Sequence, residues 1–148
     1  MIRILFGVLI VLAACSAPKR PGIADLAGHE DLSFFKLDSL RGTRDGDRLY
    51  AQAVFTDSSS ILTMEMRFEV GSPTRLQTGA WRWTRNNALT NGTISGRAIT
   101  FLGGQSGPPS IGGTFDLLDQ DAAAHYRVTI PVTELKLRLM DKKTWDTL

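Results

Sequence analysis

Residues Leu62 to Val70 alternate without a break. Leu62, Met64, Met66, Phe68 and Val70 are apolar, and Thr63, Glu65, Arg67 and Glu69 stand between them. Only an extended chain puts such a series on one side, because successive side chains of a strand point to opposite faces. One face of this strand is therefore buried and the other is wet, the usual state of an antiparallel sheet. The same period of two returns along the chain. Arg48–Thr56 places Leu49, Ala51, Ala53 and Phe55 together, Arg75–Arg85 places Trp81 with Trp83, and Thr133–Met140 sets Leu135, Leu137 and Leu139 against Glu134, Lys136 and Arg138. Leu32–Arg41, Thr93–Ser95, Arg97–Leu102, Thr114–Leu118 and Tyr126–Ile130 read as further short strands, with Gly96 a candidate bulge.

Turn residues separate these runs. Gly42–Asp47 contains Asp45-Gly46, Asp57–Ser60 and Gly71–Thr74 are rich in small polar residues, and Asn86-Asn87 and Asn91-Gly92 are hairpin signals. No long amphipathic helix is present to connect parallel strands, so the expected sheet is antiparallel. About eight or nine strands with a turn every 8–12 residues predict an all-β domain. The expected form is a small antiparallel meander barrel, lipocalin-like or streptavidin-like in architecture, or a β-sandwich. Asp141 to Leu148 has no clear period, and Trp145 is a candidate plug for one end of the core.

The beginning of the chain differs in kind. Met1-Ile2-Arg3 carries one positive charge, Ile4 to Val11 is an apolar run, and Leu12-Ala13-Ala14-Cys15 follows. This is the layout of a secretory signal peptide, and it is too short for a bilayer span of roughly 20 residues. Its end resembles the lipobox of bacterial lipoproteins. The resemblance implies cleavage before Cys15, a diacylglycerol on its sulfur and a third acyl chain on the new amino terminus. One acyl chain holds a protein to a membrane only marginally, and several hold it durably. By the sorting rule of that class, Ser16 in place of an aspartate after the cysteine implies the outer membrane. The domain organisation expected is a signal peptide at 1–14, lipidated Cys15 with a flexible tether over 15–31, and one β-domain over 32–148, a normal single-domain size.

Cys15 is the only cysteine. Disulfides, thiolate metal sites and cysteine catalysis are thereby excluded from the mature domain. No cofactor is expected, and a formal net charge of +2 gives no reason to expect a nucleic-acid partner. The charge is unevenly spread, however. No acid occurs from Val70 to Thr114, where Arg75, Arg82, Arg85 and Arg97 lie. Such asymmetry can mark a face for an anionic partner or simply the wet sides of strands. If Trp81 and Trp83 face inward, they are core or line a ligand cavity. If they face outward beside Arg82 and Arg85, they form a docking surface, since Trp and Arg are enriched at binding hot spots.

The segment Gly103–Gly113 is rich in glycine and holds Pro108-Pro109, with Gln105, Ser106 and Ser110 as uncharged hydrogen-bonding groups. It reads as a long hairpin connection or as a shaped binding loop. A hydrolase built on Ser106 with His125 and Asp121 lacks the Gly-x-Ser-x-Gly elbow and its helix. Ser33-x-x-Lys36 falls on a strand, where residues three apart point to opposite sides. Asp45/Asp47 and Asp119/Asp121 lack the terminal glutamate of a calcium loop.

The expectation is thus a non-enzymatic lipoprotein of the outer membrane, held there by lipid on Cys15. Its β-domain is expected to bind another envelope protein or glycan in assembly, protection or inhibition. The alternative is a barrel for a small apolar or anionic ligand. Candidate contacts are Trp81, Arg82, Trp83, Arg85, Arg97, Gln105 and Ser106, with no catalytic or metal-ligating residue.

Overall fold

A computed structural model of the chain describes residues 30–31, 36–103, 108–119, 124–132 and 136–148. Cys15, Gln105, Ser106 and Asp121 lie outside the described residues, as does the side chain of His125. The elements in chain order are β1 (Glu30–Asp31), β2 (Lys36–Asp45), β3 (Arg48–Asp57), β4 (Ser60–Glu69), β5 (Arg75–Arg85), β6 (Ala88–Leu102), β7 (Ser110–Leu118), β8 (Ala124–Ile130), β9 (Arg138–Leu139) and the short helix α1 (Lys142–Trp145). β1 takes in Glu30 and Asp31, at the end of the stretch expected to be tether.

All strands belong to one sheet, in the order β1-β8-β7-β6-β5-β4-β3-β2-β9. From β2 to β8 each strand pairs antiparallel with its chain neighbours, the meander expected from the turn signals. The expectation of a purely antiparallel sheet is corrected at the two edges. There β1 runs parallel to β8, and β9 runs parallel to β2. Both are two-residue strands that arrive from outside the meander, so no hairpin dictates their direction.

The sheet curls into a half-barrel. Flat strands four places apart are separated by about 19 Å, yet the Arg44 guanidinium of β2 lies 5.3 Å from the ring centre of Phe101 on β6. Phe68 of β4 meets Phe115 of β7 edge-on at 6.3 Å. The concave side holds the core, including Leu49, Leu62, Met64, Phe68, Phe115 and Leu117. Each such side chain contributes about 1.5–3 kcal/mol when fully buried.

Bulges explain why the two-residue period breaks in places. An extra residue in one strand reverses which side chains face inward. In β2 the register slips between Leu37 and Ser39, so Leu37 and Leu40 are both buried. In β6 it slips between Arg97 and Thr100. Ile94 faces inward before the slip, and Ile99 and Phe101 pack on the core after it. The bulge candidate Gly96 is thus corrected to Ala98, whose φ is +51°. Gly96 instead leaves room where Leu76, Ile99 and Phe115 converge.

The hairpins follow turn chemistry. Gly46, with φ +61°, sits at the first position of the β2–β3 loop. The expected turn over Gly42–Asp47 narrows to Gly46 and Asp47, because β2 continues through Asp45. Asn86 and Asn87 both have positive φ, as a tight two-residue hairpin requires. Asn91-Gly92 is not a turn: it lies within β6, paired with Trp81 and Arg82. The connection after β6 is also shorter than expected, since Ser110 to Gly113 already belong to β7.

The expected strand Thr133–Met140 contracts to β9, with 133–135 outside the described residues. Residues 136–140 bridge a seam. The Leu137 amide donates to the Pro109 carbonyl at 2.9 Å, and the Met140 amide donates to the Gly42 carbonyl at 2.8 Å. Leu137 is buried, whereas Leu139 is 42 % exposed.

Candidate functional site

The register of the sheet lays Arg41, Gln52, Glu65, Ala80 and Thr93, from five successive strands, in one row. None of these is a core residue, and their neighbours along each strand are largely the buried ones, so the row lies on the convex face. Arg41 Nε donates to Gln52 Oε1 at 2.8 Å, and Gln52 Nε2 donates to Glu65 Oε1 at 3.4 Å. Beside this row runs a second, Tyr50–Arg67–Thr78. The Arg67 guanidinium lies 5.3 Å from the centre of the Tyr50 ring. A cation over an aromatic face contributes about 0.5–1 kcal/mol where it is exposed and more where water is excluded.

Small residues on β5, Thr78, Gly79 and Ala80, leave a depression between taller side chains. Trp145 and Leu148 also line it. The result is an open groove of about 540 Å³. A second depression of about 350 Å³ is lined by Thr63, Arg82, Leu89 and Asn91, and it shares Glu65 and Ala80 with the first. The two together form a trough across the strands, each part within the size range of small-molecule sites.

The trough carries excess positive charge, with Arg41, Arg67 and Arg82 against Glu65. Arg67 Nε is buried and has no hydrogen-bond partner among the described residues. A buried donor left unpaired costs about 1–3 kcal/mol. Asp141 caps α1 by accepting hydrogen bonds from the amide and hydroxyl of Thr144, both at 2.8 Å. Those donors, the amide first, hold its carboxyl below the usual carboxylate range. Trp145, the candidate core plug, is half-buried and lines the convex groove instead. It is Leu137 that fills the seam.

The residues expected to form a site are dispersed. Trp81 and Trp83 are 2 % and 4 % exposed and belong to the core. Their rings meet Tyr126 edge-on at 5.8 and 5.1 Å. Arg82, between them, faces outward and lines the second depression. Arg85 is half-buried at the end of β5, opposite Ser60 and Ala88. Arg97 is exposed on β6 and pairs with Asp116 at 3.2 Å, while Asp116 also takes a 2.8 Å bond from Arg127 Nε. Arg82 pairs in register with Asn91, six residues before Arg97 on the same strand and so about 20 Å away.

The sequence reading did not single out Arg41, Tyr50, Gln52, Glu65 or Arg67. The available signal was the run of small residues at Thr78-Gly79-Ala80, on a strand that otherwise carries bulky groups. Among the described residues, no group of three or more His, Cys, Asp or Glu is placed to hold a metal ion. Comparison of the chain with protein-family models, curated proteins and solved structures finds no match.

Proposed function

We propose that this chain is a lipid-anchored, non-enzymatic binding module of the bacterial outer membrane, and that it docks another envelope component through its convex face. The lipobox ending in Cys15 supports the anchor, and Ser16 supports the outer membrane. One observation carries the docking reading: the concave side is packed by the core, whereas the convex side holds a positively charged trough lined by Arg67, whose buried Nε has no partner among the described residues. Trp81 and Trp83, which a ligand-binding barrel would use to line its cavity, are instead packed against Tyr126.

The test places a photo-crosslinking residue at Thr78, an exposed position in the trough, and irradiates living cells that carry either Cys15 or Cys15→Ala. A discrete adduct that depends on Cys15, with acyl label incorporated only in the Cys15 form, is the expected result. No acyl incorporation at Cys15 overturns the anchor. No discrete adduct from Thr78 overturns the docking role.

A further inference from the structure

We propose that the convex trough binds a carboxylated saccharide, with the carboxylate held at Arg67 and Arg41. The proposal rests on the docking reading above and names its ligand class.

Three observations lead to it. The Nε of Arg67 is shielded from solvent and has no partner among the described residues, and the same side chain lines a groove open to solvent. A guanidinium that lines an open groove suits a planar anion, because its N–H groups match the oxygens of a carboxylate. The Arg67 side chain is held in place from one side by the Tyr50 ring at 5.3 Å, so little ordering remains when an anion arrives. Arg41, oriented by its 2.8 Å bond to Gln52, lines the same groove.

The remaining groups suit sugar hydroxyls. Gln52, Glu65 and Asn91 present planar amide and carboxylate groups that donate or accept in pairs, and the single acid among the arginines accepts where they only donate. Trp145 offers an aromatic wall, and Thr78, Gly79 and Ala80 leave a shallow floor for a flat ring.

An acidic peptide fits less well. Extended peptides gain affinity by adding a strand to a free sheet edge. The trough crosses β3, β4 and β5, each paired on both sides, so no backbone donor or acceptor row is free there. A carboxylated glycan needs none.

The test is a titration of the full chain in detergent micelles, followed by intrinsic tryptophan fluorescence and calorimetry. The probes are trigalacturonate, the neutral N-acetylglucosamine trimer and hexaglutamate. Trigalacturonate is expected to bind, with the neutral trimer at least about tenfold weaker. Arg67→Gln weakens trigalacturonate by about tenfold or more, whereas Arg97→Gln, away from the trough, leaves it unchanged. Arg41→Gln gives the same reading if Arg67→Gln lowers the melting temperature too far.

Equal binding of the neutral trimer overturns the carboxylate, and binding of hexaglutamate alone overturns the saccharide. Unchanged affinity in both arginine variants overturns the site. A Cys15-dependent adduct from Thr78 with no response to trigalacturonate leaves docking standing and removes this proposal alone.

Discussion

The indole of Trp81 reaches past β6 and donates its N–H to the Leu118 carbonyl on β7 at 3.0 Å. Trp81 is paired in register with Gly92, and a Cβ at that position would lie 2.8 Å from the indole nitrogen and overlap the Leu118 carbonyl. The glycine of Asn91-Gly92 thus opens a passage for a side chain and makes no turn. Gly92→Ala is expected to destabilise the protein by about 2–3 kcal/mol, as overpacking in a tight site does. Trp81→Phe keeps the contact with Tyr126 but removes the donor, for about 1–3 kcal/mol. Urea unfolding of the three proteins checks the order, and a Gly92→Ala protein as stable as the parent refutes the passage.

Ala98 holds a φ of +51° at the bulge of β6. That conformation costs an L-residue about 1–2 kcal/mol, and glycine escapes it while adding about 0.4–1 kcal/mol of unfolded-chain entropy. Ala98→Gly is therefore expected to raise stability by up to about 1 kcal/mol, one of few glycine substitutions in a strand to do so. Gly46→Ala, at φ +61°, has the opposite sign. Thermal melts of both variants decide the matter, and a lower melting point for Ala98→Gly contradicts the account.

Leu137 closes the seam between the start of β7 and the edge of β2, at 1 % exposure. Truncation to alanine leaves a cavity with one flank of backbone that can give way. The expected loss is about 2–4 kcal/mol, with amide exchange accelerating first at Met140, whose bond to Gly42 holds the same seam. Uniform acceleration over the whole sheet counts against a local closure.

The cap of α1 titrates. The folded pKa of Asp141 lies below its ordinary value because Thr144 donates to the carboxylate. A depressed carboxylate contributes stability that is present above the unfolded pKa and lost as pH falls through the folded one. Acidification below about pH 4 is expected to fray α1 and shift the indole N–H resonance of Trp145, while those of Trp81 and Trp83 stay in place. Asp141→Ala should show the frayed resonance at neutral pH. A Trp145 signal indifferent to both changes rules out the cap as the support of this wall.

The meander could be read from the sequence because its cues are local. Leu62 to Val70 alternates, and Asp45-Gly46 and Asn86-Asn87 carry their own turn geometry. What escaped the reading depends on partners. Asn91-Gly92 has hairpin composition, and only the Trp81 indole explains why it stays extended. Leu37 with Leu40, and Ile94 with Ile99, break the period where a bulge reverses the inward face. The trough was hidden for the same reason. Arg41, Gln52, Glu65 and Ala80 come from four strands, and only the register brings them into line. Trp81 and Trp83 drew attention by their chemistry, yet the parity of β5 points them into the core and leaves Arg82 alone facing out.

The two edge strands also differ from the rest in the loops they close. Every pairing from β2 to β8 joins chain neighbours and can zip up hairpin by hairpin, with little loop entropy to overcome at each step. The pairings of β1 with β8 and β9 with β2 instead bring together residues from opposite ends of the chain. Before the sheet between them exists, each has a long loop to close. The half-barrel is thus held in its middle by local pairings and at its margins by the costliest loop closures, and the wall that Trp145 gives the trough follows directly on one of those margins.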